Sequence, residues 1–490
     1  MRVSAQFITE HTFLCENKKR KMEKKQGQLL RTITLSSATI LVVSSVIGSG
    51  VYKKVAPMSE GLMSPSLVLC AWVLAGIISL TGALSNAEIA GMMAGSGGEY
   101  LYFKRIYGRF TAFMYGWATF AVIKTASVSA IAYVVAQSLN SLIPLPHLSQ
   151  SLEKINVFGI MTPFDNFGVK MLTIAIIAGL TYLNTRGLKG GEWLSNSITK
   201  MVIAGLLLIV ISGLFFGGGS VENFMTPSVN YVSRPWYDFA LIKVVFGAML
   251  AAFWAYEGWN TVGFLGGEIQ NPNRNLPLAL FFGLLIIMGA YALVNFTYLY
   301  VLPMDDMIAI SKSKNQIAAI EVIRHFAGGL GATILSCLIV LTTFGCTNST
   351  ILMPPRIYQV MAEDGVFFKG ADQIHPETNT PNVALWIQCV WACLLVLSGS
   401  FDQLTDMLIF VAFFFYGATA AGVFIMRKRE PNAERPYKVW GYPIVPAIFV
   451  LFCIILIVIT CFSNPREAGM GLVLTLSGVP FYYYWNKQKS

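Results

Sequence analysis

Long apolar stretches separated by short polar loops run the length of this chain. A helix that crosses a bilayer needs roughly 20 apolar residues. About twelve stretches meet that requirement: 33–56, 65–94, 110–138, 168–185, 194–216, 239–266, 277–302, 329–361, 383–400, 403–426, 443–462 and 468–485. Two of them are interrupted. The first is broken by Gly48-Ser49-Gly50, and the sixth by Tyr256-Glu257-Gly258-Trp259-Asn260. Helix backbone opened at membrane depth is tolerated only where it is buried in protein or lines a cavity. Paired breaks in corresponding halves of a chain point to a transporter's binding site.

The pattern predicts an all-α integral membrane fold of about 12 transmembrane helices. It reads as a five-plus-five inverted repeat with discontinuous helices 1 and 6, followed by helices 11 and 12. Residues 1–31 form an N-terminal tail and 32–486 a polytopic transporter domain. Within it, repeat one covers about 32–216, repeat two about 236–427, and the last two helices about 443–485. The repeat rests on the break positions and the segment count, not on residue identity.

Composition supports the membrane assignment. Of 490 residues, 55% are hydrophobic and 12% charged, against about 25% charged in a soluble domain. The net charge of +10 is not a nucleic-acid patch, because it is divided among short loops. Lys18, Lys19, Arg20, Lys21, Lys24, Lys25 and Arg31 precede the first stretch. Lys104, Arg105 and Arg109 follow the second, Arg186 and Lys189 the fourth, and Arg427, Lys428, Arg429, Arg435 and Lys438 the tenth. With an even number of spans these loops share one face. Cytoplasmic loops are rich in Lys and Arg, so the expectation is a cell (inner or plasma) membrane protein with both termini cytoplasmic. The opposite loops are poorer in cations, although Lys53, Lys54, Lys312 and Lys314 are placed there. The tail is too polar after Glu16 for a signal peptide and lacks a small-residue cleavage site. It reads as a disordered cytosolic tail, with Met22 as an alternative start.

Chemistry other than transport finds little support. The eight cysteines form no metal-type cluster; Cys389 and Cys393, one turn apart on an apolar helix, read as packing. The four histidines lie in or near loops. No metal, cofactor or catalytic residue is expected. An enzyme would need paired carboxylates, histidines or an activated nucleophile at the membrane face. A channel would need a filter loop or a charged ring. A membrane nutrient sensor remains a distant alternative.

An ordered set of motifs carries a more specific resemblance. Val46-Ile47-Gly48-Ser49-Gly50-Val51-Tyr52 resembles the first-span signature of the amino acid–polyamine–organocation superfamily. Glu88-Ile89-Ala90 through Gly97-Gly98-Glu99-Tyr100-Leu101-Tyr102 is similar to its second-span exit. Phe253 to Asn260 also resembles the superfamily. The run Gly267 to Pro277 is similar to the loop after span 6 in the L-type amino acid transporter branch. Arg356, Met361 to Gly365, Thr380-Pro381 and Arg435 to Pro443 complete the set. The resemblance covers nearly all of the chain after about residue 31. It implies a stand-alone member, similar to the prokaryotic serine/threonine or alanine/serine/cysteine exchangers. Animal members are often disulfide-linked to a glycoprotein through the loop between spans 3 and 4. Here the loop Asn140–Phe167 has no cysteine, so no heavy subunit is expected. The branch often has proline where Thr125 stands, which leaves the bend of span 3 open.

The candidate site follows from what an amino acid zwitterion needs. The amides of Ser49, Gly50 and Val51, at a helix start, can hold a carboxylate. Glycine at Gly48 and Gly50 lets a ligand approach the backbone. Carbonyls of Val46 and Ile47, and those near Trp254, Ala255 and Glu257, can accept from the ammonium. The alternative for Gly48-Ser49-Gly50 is a close helix crossing. Trp254 resembles the bulky gate residue of the branch, while Tyr256 and Trp259 read mainly as packing. Glu257 has three readings: a partner for a cationic substrate side chain, a group that titrates with transport, or a structural hydrogen-bond acceptor. The resemblance implies that Lys200 replaces a sodium ion and bridges spans 1 and 8; snorkelling to the interface is the alternative. Lys124, mid-span, must face the protein interior or a wet cavity. Thr342, Thr343 and Asn348 on span 8 either line the pathway or bond to neighbouring backbone.

The expected function is sodium-independent exchange of L-amino acids, small neutral ones by default. A proton-coupled permease, or an exchanger accepting cationic amino acids through Glu257, is the alternative. The partners are the amino acid substrates and the bilayer, with no nucleic acid.

Overall fold

The computed structural model describes residues 33–93, 98–157, 161–186, 191–260, 269–313, 315–375 and 380–487, with the backbone alone at 191–199 and Asn273. The expected tail 1–31 and the end of the sixth stretch, 261–266, lie outside the described residues.

Among the described residues the chain is helical, apart from two isolated bridges, Ile33 with Ile269 and Val157 with Met161. The first stretch is three helical pieces: α1 (Leu35–Val46), α2 (Gly50–Lys53) and α3 (Val55–Leu62). Lys54 between the last two keeps helical backbone, so α2 and α3 form one outer segment. Then come α4 (Pro65–Met92), α5 (Glu99–Tyr107), α6 (Arg109–Ala118), α7 (Lys124–Asn140), α8 (Phe167–Thr185) and α9 (Gly191–Phe216). The second half holds α10 (Phe239–Tyr256), α11 (Pro272–Val301), α12 (Met304–Lys312), α13 (Ala318–Leu352), α14 (Pro355–Glu363), α15 (Asn382–Ser398) and α16 (Phe401–Arg429). The chain closes with α17 (Ile444–Ser463), α18 (Pro465–Leu476) and α19 (Gly478–Lys487).

Among the described residues, eight helical segments are long and apolar enough to cross a membrane. Leu35–Val46, Lys200–Phe216 and Asn382–Ser398 are shorter apolar helices. Local chemistry sets several boundaries. Pro65 occupies the first turn of α4, where no intrahelical N–H is needed. Ser400 and Gln403 form a reciprocal capping box that starts α16.

Two expected stretches differ. The stretch 329–361 is preceded by a further helical piece from Ala318, which meets it across a kink at Gly328, where the backbone is not helical (φ 62°, ψ −157°). Its far end is divided between α13 and α14 at Met353-Pro354. The stretch 468–485 is two helices, α18 and α19, rather than one.

The segment Arg109–Asn140 is the axis of the molecule: 94% of its most apolar window is buried, against 33% for α17 at the periphery. Helices α13, α8, α15 and α16 pack on α7, while α1, α4, α10 and α11 pack on one another. The axis is not a regular helix. A π turn at Thr119–Ile123 separates α6 from α7. The Thr125 hydroxyl donates to the Phe120 carbonyl at 2.6 Å. The irregularity therefore sits where the branch often has proline, and a hydroxyl satisfies the backbone there. Such bulges concentrate at functional sites, and this one ends at Lys124.

Candidate functional site

The two breaks meet. α1 ends at Val46, and Ile47 turns to extended backbone (φ −71°, ψ 103°). α10 ends at Tyr256, Glu257 is extended (φ −65°, ψ 141°) and Gly258 has φ 118°, a conformation that favours glycine. A methyl on Gly258 would collide with the Ser45 carbonyl. Close crossing and helix opening are thus two aspects of one arrangement. The first N–H groups of the α2–α3 segment have no intrahelical acceptor and face the end of α10.

The hydroxyl of Tyr291 on α11 bridges the breaks, 2.9 Å from the Ala255 carbonyl and 3.3 Å from that of Val46. Two carbonyls expected to receive an ammonium are therefore held by a phenol in this conformation. Sequence reasoning missed Tyr291; it is one of three tyrosines in that span, with Tyr298 and Tyr300, and nothing in the sequence singled it out. Tyr256 points elsewhere, donating to the Trp72 carbonyl at 3.1 Å, which fits the packing alternative. The Ser49 hydroxyl, the Trp254 indole N–H and the Asn260 side-chain oxygen are buried with no hydrogen-bond partner among the described residues. Buried polar atoms are nearly always satisfied, and three of the unpartnered ones lie at the two breaks.

Glu257 does not face the site alone. Lys124 Nζ lies 3.3 Å from Glu257 Oε1. The Tyr416 hydroxyl on α16 is 2.8 Å from each carboxylate oxygen and donates to them. Asn260 Nδ2 reaches both Tyr416 and Glu99 at 3.4 Å. Glu99 is buried and also accepts from Asn86 at 3.0 Å and from Tyr115. A small, half-open recess lies at Asn260, lined also by Asn86, Trp259, Leu276 and Leu280.

On the other side of the breaks sits a second charged cluster. Lys53 and Lys54 are not loop cations, as the charge pattern suggested: both are buried on the outer segment. Lys54 Nζ contacts Asp402 at 2.7 Å, Thr405 at 2.6 Å and Asp406 at 3.5 Å. Lys53 donates to Gln137 at 2.6 Å. The ring of Phe401 carries Lys53 at 4.4 Å and Lys54 at 4.9 Å and meets Trp254 edge-on at 6.1 Å. Trp254 is thereby coupled to the α2–α16 contact. Three charges inside apolar stretches, Lys53, Lys54 and Asp406, with Asp402 at the edge of one, were the available signal.

The remaining expected residues are scattered. Lys200 is exposed and has no hydrogen-bond or ion-pair partner among the described residues, so it does not form the expected bridge between spans 1 and 8. Thr343 donates to the Ile339 carbonyl at 2.5 Å and Thr342 to that of Leu338 at 2.9 Å, the backbone-bonding alternative. Asn348 accepts from Asn184 at 2.8 Å and ties α13 to α8. At the membrane edge Asp364 accepts from Tyr100 at 2.8 Å and Lys104 at 2.7 Å. Burial favours the neutral carboxyl there, but the Lys104 and Tyr100 bonds outweigh it and hold Asp364 below the usual carboxylate range.

Residues 33–481 match the family profile described as "Amino acid permease". The chain is 28% identical over 472 residues to a serine/threonine exchanger of Bacillus subtilis, covering 96% of this chain and 100% of that one. It is 28% identical to the human b(0,+)-type amino acid transporter 1, covering 94% of this chain and 89% of the relative. It is 24% identical to the human cystine/glutamate transporter, with 95% and 88% covered.

Proposed function

The chain belongs to the amino acid permease family, and from that premise we propose that it exchanges small neutral L-amino acids, without sodium, by alternating access. Family membership makes it a multi-pass membrane transporter and not an enzyme. One observation carries the finer reading. Two opened helices face each other at mid-span and bring the orphan polar atoms of Ser49 and Trp254 to that junction.

In this reading the substrate carboxylate is held by the N–H groups of Ser49, Gly50 and Val51 and by the Ser49 hydroxyl. The ammonium takes the carbonyls of Val46, Ile47 and Ala255 as Tyr291 releases them. Trp254 closes over the side chain. α2 rests directly on α10, Gly50 against Ala255, so the two belong to one moving body. The proposed moving body is α1–α4, α10 and α11, which pack together, against a frame of α7, α8, α13 and α15. The five-plus-five repeat is part of this proposal, supported by a broken first helix and a sixth that ends mid-stretch. Exchange is supported by the bacterial relative, itself named an exchanger.

Both termini are placed in the cytoplasm. The basic loops support this by lying together: Arg105 pairs with Glu430 at 2.5 Å and Arg109 reaches the Asp364 carbonyl at 2.9 Å. A stand-alone transporter is proposed, since the loop between α7 and α8 offers no thiol.

Uptake of labelled serine, threonine and alanine into proteoliposomes, preloaded or empty, in sodium-free buffer tests the proposal. Uptake that depends on internal amino acid supports exchange. The buried chain Glu257–Tyr416–Asn260–Glu99 favours a second reading, proton-coupled uptake. Uptake into empty vesicles that follows an imposed pH gradient would replace exchange with it.

A further inference from the structure

Lys124 and Glu257 sit on backbone that is irregular on both sides. Lys124 is the first residue after the π turn. Glu257 is the first residue after α10, followed by left-handed Gly258. Lys124 opens α7 where the π turn has shifted the helical register, Glu257 lies where α10 has ended, and the two side chains converge across the gap between α7 and α10. The Lys124 side chain is 23% exposed and that of Glu257 10%, so the pair retains an open face. Glu99, by contrast, is 1% exposed and is held by Asn86, Tyr115 and Asn260, which leaves it no face toward a ligand.

We propose that Lys124 is a built-in counter-ion that fixes the charge class of the substrate side chain. It occupies the position beside Glu257 that a cationic side chain would need, and Glu257 in turn occupies the position beside Lys124 that an anionic one would need. This inference deepens the proposed amino acid exchange and rests on it. A site of low dielectric magnifies any uncompensated charge. With both groups present, a substrate cation meets Lys124 as well as Glu257, and a substrate anion meets Glu257 as well as Lys124. Discrimination arises from repulsion as much as from attraction. Neutral side chains meet a compensated pair whose remaining hydrogen-bonding capacity suits small hydroxyl groups. Each charge also disqualifies the substrate that the other would attract, so deleting either one should open the site to a single charge class.

Proteoliposomes carrying the purified full chain, preloaded with serine, are tested with labelled serine, lysine and glutamate. The wild type is expected to carry serine and to exclude both charged amino acids. Lys124→Gln should raise the lysine-to-serine uptake ratio at least tenfold without raising the glutamate ratio. Glu257→Gln should do the converse for glutamate. Lys124→Arg should leave both ratios within twofold of wild type, and the exchanged pair Lys124→Glu/Glu257→Lys keeps the charges together where a single variant fails to fold. Ratios unchanged in folded Lys124→Gln and Glu257→Gln, with serine still carried by the wild type, would overturn this inference and leave amino acid exchange standing. A wild type that carries lysine as well as serine would also overturn it. A wild type that carries no tested amino acid would overturn the functional reading itself.

Discussion

A methyl group on Gly50 would lie 2.7 Å from both Cα and Cβ of Ala255, so the two interrupted helices touch with no side chain between them. The contact is tighter than real Cβ atoms allow, and the obstructing atoms belong largely to backbone.

Gly50→Ala is expected to destabilise the α2–α10 contact by about 1–3 kcal/mol, the usual cost of overpacking. Exchange in proteoliposomes should fall at least tenfold, since that contact positions the backbone of both breaks. Wild-type exchange in this variant would show that transport does not depend on the close approach of α2 to α10.

Tyr291→Phe removes the donor shared by Val46 and Ala255 while preserving the aromatic packing against Trp72 and Tyr256. Two buried carbonyls lose their partner, at a cost of about 1–3 kcal/mol. Thermal unfolding in detergent should show a lower midpoint, and saturating substrate should recover part of it, because the ammonium replaces the lost donor. A loss with no recovery by substrate would place these carbonyls outside the binding site.

Lys54→Met leaves Asp402 and Asp406 without their cation. Breaking a fully buried pair costs about 3–5 kcal/mol; here the Asp402 side chain is 41% exposed, so the loss should fall below that range. The double variant Lys54→Met/Asp402→Leu should recover part of the stability, in the manner of a coupled pair. Strictly additive losses in thermal unfolding would mean that the contact contributes nothing to closure.

Asp364→Asn tests the membrane-edge tie by its pH dependence. Because hydrogen bonds hold the folded carboxyl below its ordinary range, the ionised form contributes stability above an unfolded value of about 3.9. That stability is lost as the pH falls through the lower, folded value. The wild-type advantage over Asp364→Asn should therefore be level from pH 5 to 8 and shrink only below about pH 4. An advantage that declines between pH 8 and 5 would contradict the assigned direction.

The helical membrane architecture was legible because bilayer thickness imposes a length and an apolar composition on each span. The breaks at Gly48-Ser49-Gly50 and after Tyr256 were legible because few residues open a helix there. The partnerships were not. Lys124 and Glu257 are 133 positions apart, and Lys54 and Asp402 are 348 apart; no periodicity relates them. The resemblance implied a functional role for Lys200, yet its side chain is exposed.

By itself, the sequence determined which stretches can cross a membrane and where helices open, because hydropathy and backbone freedom are local properties. Tertiary structure alone decided which charges neutralise one another, that Tyr291 holds the carbonyls of both breaks, and that Phe401 joins Trp254 to the outer lysines. Those relations depend on how helices distant along the chain turn toward each other. Packing settles that through the side chains that fill the space between them.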